Sequence, residues 1–171
     1  MSMSETALPR RLLAARAGLM LPAFAGALLL SALLLFSVQP MFTKMMLPSL
    51  GGSPAVWSVA MVFFQIMLLL GYIWAHALTR LFSLPVAAVA HLCLTATAFI
   101  VLPLAWPPMS APPAEGAQAL WLVGAFALSV GLPFFALAGN GPLLQAWFAR
   151  SGHRAADDPY FLYAASNAGS F

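Results

Sequence analysis

The feature that most constrains this chain is its long apolar stretches without a charge. No charged residue lies between Arg16 and Lys44, and none lies between Lys44 and Arg80. A run of about 20 apolar residues is long enough to cross the hydrocarbon core of a bilayer as a helix. Inside lipid the backbone polar groups need partners within the segment, which a helix provides. The sequence therefore predicts membrane-spanning helices.

The composition supports the same class of protein. Hydrophobic residues make up 63% of the 171 positions and charged residues only 6%, whereas about 25% of an ordinary soluble domain is charged. So few charges cannot give a folded core a water-facing surface, and we expect the lipid bilayer to be the main partner. The net charge is +3, but the basic residues are scattered at the ends of apolar runs, which excludes a nucleic-acid surface.

Polar and proline-rich interruptions divide the chain into an all-α, polytopic transmembrane bundle. We expect a cytoplasmic tail over 1–16, then a transmembrane helical domain over 17–171. Its predicted elements are four complete spans at 17–38, 54–78, 85–104 and 117–138, a kinked continuation of the last at 142–149, and the start of a fifth helix at 159–171. Residues 39–53 and 106–116 are predicted connections. Because the fifth helix is too short to cross, we expect a fragment that lacks further C-terminal helices.

The last long apolar run is predicted to bend. Residues 117–149 would extend roughly 50 Å as one helix, against a hydrocarbon core of about 30 Å. Pro133 and the segment from Gly139 to Pro142 are the expected break points. Asn140 would then cap the helix that restarts at Pro142. Alternatively, unwound backbone beside Asn140 and Gln145 lines a binding cavity.

The distribution of basic residues predicts the orientation. With a cytoplasmic N-terminus, the outer loops hold only Lys44. The remaining basic residues are then all cytoplasmic: Arg10, Arg11, Arg16, Arg80, Arg150 and Arg154. This bias is typical of a multi-pass protein of the bacterial inner membrane. Lys44 itself either extends its charge to the lipid phosphates or guards an outer vestibule for charged solutes.

Four polar residues of the second span repeat at helical spacing and share one face: Ser58, Gln65, Tyr72 and His76. Such a stripe is expected to face the bundle interior or a wet cavity rather than lipid. It is either a substrate or proton path, with a histidine able to exchange protons near neutral pH, or a set of interhelical hydrogen bonds.

Two further polar positions have mainly structural interpretations. His91 is a lone histidine without a second ligand one turn away, so it predicts no metal site and is expected to bind a hydroxyl or carbonyl near Thr95. Asn167 lies between Ala165 and Gly169, a small-residue pair that favours close helix packing, and its amide is expected to hydrogen-bond across that contact. Cys93, the only cysteine, is interpreted as a small buried hydrophobic residue.

Motifs for catalysis and cofactor binding are missing from the sequence. It contains neither a Walker A motif, a dinucleotide-binding G-x-G-x-x-G, nor a G-x-S-x-G elbow. None of the four acidic residues falls within a complete predicted span. We therefore predict no catalytic, cofactor-binding or metal-binding residue in this chain.

Four segments carry a resemblance to a known family: QPMFTKMMLPSLGGSPAVW, VFFQIMLLLGYIWAH, LPFFALAGNGPLLQAWFA and DDPYFLYAASNAGS. Together they resemble the membrane half of bacterial fused major-facilitator-like/spermidine-synthase-like proteins. The resemblance implies a downstream soluble domain of aminopropyltransferase type, which would hold any enzymatic activity and is not in this sequence. The facilitator side is looser, since GYIWAHALTR lacks the aspartate usual between the second and third spans.

Three functional hypotheses follow. The first is a membrane module of a spermidine-synthase-like fusion that handles or presents a small, polyamine-like substrate. The second is a membrane anchor for a soluble enzyme domain, without transport. The third is part of an unrelated secondary transporter. The sequence downstream of Phe171 would separate the third hypothesis from the other two.

Overall fold

The structure is a computed structural model in which the backbone of residues 4–50, 53–105, 113 and 116–171 is described, with side chains described from residue 18 to 48 and from 53 onward within those ranges. This part of the chain is all-helical. Its elements are α1 (Ser4–Leu50), α2 (Pro54–Leu81), α3 (Leu84–Ile100), α4 (Gln118–Phe126), a π-helical turn (Ala127–Gly131), α5 (Leu132–Ala149) and α6 (Tyr160–Gly169).

Three helical segments have the length and hydropathy to cross a membrane. They are Gly18–Pro48, Pro54–Leu81 and Gln118–Ala149, whereas the apolar helix α3 is shorter, with 17 residues. Large apolar side chains remain exposed along α1 and α2, including Leu30 at 57% and Leu69 at 59%. Because lipid is the natural solvent for such surfaces, the helices confirm the prediction of a membrane protein.

The connection predicted over residues 39–53 is wrong for most of its length. Helix α1 continues to Leu50 and contains both Pro40 and Pro48. Proline removes one backbone donor, but a helix within lipid can tolerate this. The Thr43 hydroxyl also bonds within the helix, since it donates to the Gln39 carbonyl one turn earlier at 2.7 Å. The polar residues of this segment therefore belong to the helix rather than to a loop.

The break predicted after Gly139 is also absent. Gln118–Ala149 is continuously helical, and Pro142 lies inside α5. The irregularity is instead the π-helical turn directly before Pro133. Pro133 has no N–H for the Ser129 carbonyl one turn earlier, and its ring would press on that oxygen, so a wider turn relieves the clash. Residues 142–149 are thus neither a separate nor a surface helix.

Small residues set the closest helix contacts. A Cβ at Gly71 of α2 would lie 2.5 Å from the Cβ of Ala138 on α5. A Cβ at Gly169 of α6 would collide with the Leu29 carbonyl of α1. The close packing predicted around Asn167 is therefore present at Gly169, while the Asn167 side chain itself is exposed.

One part of the core contains five phenylalanine rings packed together with aliphatic side chains. We call it the aromatic cluster, and its rings are Phe42, Phe63, Phe64, Phe126 and Phe134. Neighbouring ring centroids lie between 4.7 Å and 5.8 Å apart. The cluster joins α1, α2, α4 and α5, so it fixes the helices that surround the polar part of the bundle.

Candidate functional site: a polar relay beside a cavity

Four polar side chains from four helices form a hydrogen-bonded chain, which we call the polar relay. The indole N–H of Trp74 on α2 lies 3.3 Å from Nδ1 of His91 on α3. The Nε2 of His91 lies 2.7 Å from Oδ1 of Asn140 on α5. The Asn140 amide nitrogen then donates to Oγ of Ser31 on α1 at 3.2 Å. The relay therefore links residues distant in sequence across the width of the bundle.

Glycine at position 139 makes room for this arrangement. A Cβ there would lie 3.1 Å from Cε1 of His91 and 3.4 Å from Cδ1 of Trp74. Such contacts are tighter than ordinary van der Waals packing, so a larger residue would push the two rings away from α5. The residue next to Asn140 thus lets His91 come within hydrogen-bonding distance of the amide.

The hydrogen bonds of the relay all run in one direction, each residue donating to the next from Trp74 to Ser31. An indole N–H can only donate, so Nδ1 of His91 accepts and the ring is the neutral tautomer with its hydrogen on Nε2. Nε2 then donates to Asn140, which fixes the carbonyl of that amide toward His91 and its nitrogen toward Ser31. The hydroxyl of Ser31 consequently accepts at the end of the chain. Trp74 on α2 therefore determines, through His91 and Asn140, that the Ser31 hydroxyl on α1 accepts a hydrogen bond.

Ser31 also lines a partly open cavity of about 410 Å³ between α1, α2, α5 and α6, which we call the polar cavity. A cavity of this size accommodates a small molecule. Its hydrogen-bonding side chains are Ser31, Gln39, Gln65, Tyr72, Gln145, Tyr163 and Ser166. Aromatic and aliphatic side chains, among them Phe64 and Phe134, form the rest of the wall.

Helical periodicity explains how the lining is assembled. On α1, Ser31, Leu35 and Gln39 are successive turns of one face, and on α2 Gln65 and Tyr72 are two turns apart. On α5, Pro142 and Gln145 are one turn apart. On each of these three helices, residues of a single face therefore line the cavity at successive turns.

The chemistry available in the polar cavity is hydrogen bonding without charge. Its lining residues are amides, hydroxyls and apolar groups, and none is ionised at neutral pH. The lining can orient a polar solute, but it offers neither a nucleophile paired with a base nor a carboxylate for proton transfer. In the part of the chain that the structure describes, no group of three or more His, Cys, Asp or Glu side chains could hold a metal ion.

The predicted stripe on α2 is divided by the structure. Gln65 and Tyr72 line the polar cavity, whereas Ser58 lines a shallow depression beside α4 and donates to its own helix at Pro54. All four stripe residues, including His76, are exposed, because aromatic and small residues occupy the face of α2 that packs on its neighbours. The stripe as a whole does not face the bundle interior.

The predicted site residues outside the α2 stripe lie in different parts of the structure. Gln145 lines the polar cavity and Asn140 lies in the relay. Lys44 is exposed on α1 and Asn167 on α6, both outside the cavity lining. The cap predicted at Asn140 is wrong, because the helix does not stop there and the amide bonds to other helices.

His91 is hydrogen-bonded within the bundle, as its sequence context favoured, but its partners are not the groups near Thr95 that we expected. It is 4% exposed, and its ring bonds Trp74 and Asn140. Thr95 instead donates to the backbone carbonyl of His91. Cys93, interpreted as buried, is exposed on the outer face of α3.

The sequence reasoning missed five residues of this region: Ser31, Gln39, Trp74, Tyr163 and Ser166. Gln39 was assigned to the predicted connection over 39–53, and none of the other four was singled out as a site residue. The spacing of Ser31 and Gln39, two turns apart, is the one local signal that could have placed them on a common polar face.

A second, almost entirely apolar cavity of about 320 Å³ lies between α1, α3 and α5. Asn140 reaches its wall together with Thr95, and Phe99 and Leu137 are among its apolar lining residues. Asn140 therefore lies in the wall of the apolar cavity and bonds to Ser31, which lines the polar one.

Comparison with known proteins returns no relative: no family model matches the chain, and neither a curated protein nor a solved structure matches it.

Proposed function

We propose that this chain is a multi-pass helical module of the bacterial inner membrane that binds a small polar solute in the polar cavity. The observation that carries the proposal is the cavity itself: seven uncharged hydrogen-bonding side chains from α1, α2, α5 and α6 line one space, and three of them, Gln65, Tyr72 and Tyr163, are also exposed. Polar side chains are costly within a membrane protein unless they are paired or wet. Their convergence on one space is therefore better explained by a solute or water than by packing.

The proposal includes four crossings and a cytoplasmic N-terminus. Helix α3 has 17 residues and would extend about 26 Å, close to the thickness of the hydrocarbon core. The excess of arginine at one set of helix ends supports the orientation. Arg150 at the end of α5 donates to the carbonyl of Thr79 near the end of α2 at 3.1 Å, so these two ends share one side of the membrane.

The resemblance noted in the sequence extends the proposal. It makes the chain the membrane portion of a spermidine-synthase-like fusion, with a polyamine-like compound as one candidate solute. A nucleotide-binding soluble domain encoded downstream of Phe171 would support this extension, and further membrane spans without such a domain would contradict it.

A membrane anchor without transport is the second candidate, and one observation favours it. The described helices hold no carboxylate in the polar cavity or in the relay, and carboxylates are common agents of ion or proton coupling in transporters. An anchor needs no coupling group. It also needs no water-filled path into the bundle.

Thiol labelling in intact membranes separates the two candidates. In a Cys93→Ala background, we expect Gln145→Cys to react with a charged, membrane-impermeant methanethiosulfonate reagent, because its side chain lines the polar cavity. The matched control is Leu69→Cys, which lies on the outer surface of α2 near the depth of Gln65 and Tyr72. Lipid should shield that thiol.

Labelling of Gln145→Cys but not of Leu69→Cys supports a water-accessible cavity. Protection of both thiols, with normal amounts of protein in the membrane, would contradict solute binding and leave the anchor. Reaction of both would show that the exposed apolar face of α2 is not in lipid.

A further inference from the structure

We infer that the ligand of the polar cavity presents an acceptor oxygen to Ser31 and is uncharged, as a carbonyl-bearing or hydroxyl-bearing small molecule would be. The inference rests on the proposed function, because it names the class of solute that the same cavity takes. It is carried by the direction of the polar relay and by the Ser31 hydroxyl hydrogen, which the relay leaves without a partner among the described residues.

Ser31 is committed as an acceptor toward the protein. It lies within 3.2 Å of the Asn140 amide nitrogen, and the donor-only indole of Trp74 imposes this orientation through His91. A reversed relay would place two N–H groups against each other at Trp74 and His91. The Ser31 oxygen therefore receives a hydrogen from one side, and its own hydrogen remains to be placed.

That hydrogen has no acceptor among the described residues. Hydroxyls within these helices commonly donate to the carbonyl one turn earlier, as Thr43 does to Gln39 and Thr95 does to His91. Ser31 makes no such bond within the described ranges; its recorded partner is Asn140. It is nevertheless 93% buried, since only 7% of its surface is exposed. The remaining space beside it is the polar cavity.

A ligand atom that accepts a hydrogen bond gives the Ser31 hydroxyl hydrogen a partner, whereas a ligand group that can only donate does not. A carbonyl or hydroxyl oxygen in the cavity takes the free hydrogen, and both the donor and the acceptor function of the Ser31 hydroxyl are then used. A ligand that can only donate would bind the second lone pair of Ser31 and leave the hydrogen buried without a partner, which is unfavourable. A fully protonated polyamine is such a donor-only ligand.

The rest of the lining points to the same class. The glutamines at 39, 65 and 145 can each donate and accept, so they adapt to either kind of group. The cavity has no carboxylate to balance an ammonium, and burying an unpaired cation is costly. Selectivity is therefore set at Ser31, while the amides supply affinity.

Two probes with the same carbon chain test the inference. N,N′-diacetyl-1,4-diaminobutane is neutral and carries two carbonyl acceptors, whereas 1,4-diaminobutane is a dication that only donates. Binding of each is measured by titration calorimetry on the full chain in lipid nanodiscs. We expect the diamide to bind at least about tenfold more tightly, the effect of one satisfied against one unsatisfied hydrogen bond.

Two variants test whether Ser31 and the relay cause this preference. Ser31→Ala removes the donor and should weaken diamide binding by about tenfold, with Ser58→Ala, an exposed serine that bonds its own helix, as the control. Trp74→Phe removes the group that fixes the relay direction. It should reduce the preference for the diamide over the diamine, with Trp57→Phe on the same helix as the control.

The outcomes separate the inference from the proposed function. Preference for the diamide that falls in Ser31→Ala and Trp74→Phe, but not in the controls, supports the inference. Equal or tighter binding of the diamine, no diamide binding, or diamide binding that is indifferent to Ser31→Ala overturns it. If Gln145→Cys is labelled from water in any of those cases, the water-accessible cavity of the proposed function stands and only its specificity at Ser31 is wrong.

Discussion

The aromatic cluster and the polar relay join overlapping sets of helices by opposite means. In the cluster, rings such as Phe126 and Phe64 are fully buried and pack against other apolar side chains. In the relay, His91 and Ser31 are nearly as buried, yet each is held by directional hydrogen bonds. The same bundle thus contains a region specified by shape and a region specified by donor and acceptor identity.

The difference shows how a lipid-exposed bundle divides stability from specificity. Lipid is as apolar as a phenylalanine ring, so helix association gains from close packing rather than from leaving water. The aromatic cluster gives many such contacts and tolerates no void. The relay adds few contacts, but an incorrect partner leaves a buried polar group unpaired. We therefore expect large losses of stability from the cluster and large changes of selectivity from the relay.

The largest expected loss of stability is in the aromatic cluster. Phe126→Ala should lower the free energy of unfolding by about 3 kcal/mol, because the ring meets three others and its removal leaves a cavity. Unfolding in mixed detergent, followed by circular dichroism, measures it. Phe99→Ala is the control, since that ring is 66% exposed. Equal losses for the two variants would show that packing in the cluster is not what stabilises the bundle.

A smaller loss is expected from the relay. His91→Leu should cost about 1–2 kcal/mol, because the Trp74 indole and the Asn140 carbonyl lose their partner while the apolar volume is kept. His76→Leu, on an exposed position of α2, is the control and should be nearly neutral. The same unfolding measurement applies. A loss larger than that of Phe126→Ala would reverse the comparison between the two regions.

The smallest effect is expected at the π-helical turn, beside the aromatic cluster. The Ser129 hydroxyl is buried and has no hydrogen-bond partner among the described residues. Ser129→Ala should therefore raise the free energy of unfolding slightly, by up to about 1 kcal/mol. Ser37→Ala, an exposed position on α1, serves as the reference. A clear loss of stability at Ser129 alone would mean that its hydroxyl has a role in the turn.

Much of the fold could be predicted, because it follows from local pattern. Helix α2 begins at Pro54, where the second predicted span began, and charge-free apolar runs marked the long helices. The predicted break after Gly139 failed where a local rule met its surroundings. Pro142 reads as a helix breaker in isolation, but within an apolar bundle an interrupted backbone costs more than one missing hydrogen bond.

The candidate site was only partly predictable. Gln65, Tyr72 and Gln145 were identified as polar residues on apolar helices, and all three line the polar cavity. Their grouping with Ser58 and His76 failed, because spacing along one helix does not say which part of the stripe a neighbouring helix covers. Asn140 was singled out as a cap, and its true partners lie 49 and 109 positions away.

The sequence by itself determined that this protein is helical and built for lipid, because hydropathy and charge act on each segment separately. It also determined which polar side chains each helix carries. Only the tertiary structure decided that Ser31, Asn140, His91 and Trp74 meet, and in which direction their hydrogen bonds run. That outcome depends on how closely helices approach at Gly71, Gly139 and Gly169, and contacts between distant segments leave no periodic trace in a single chain.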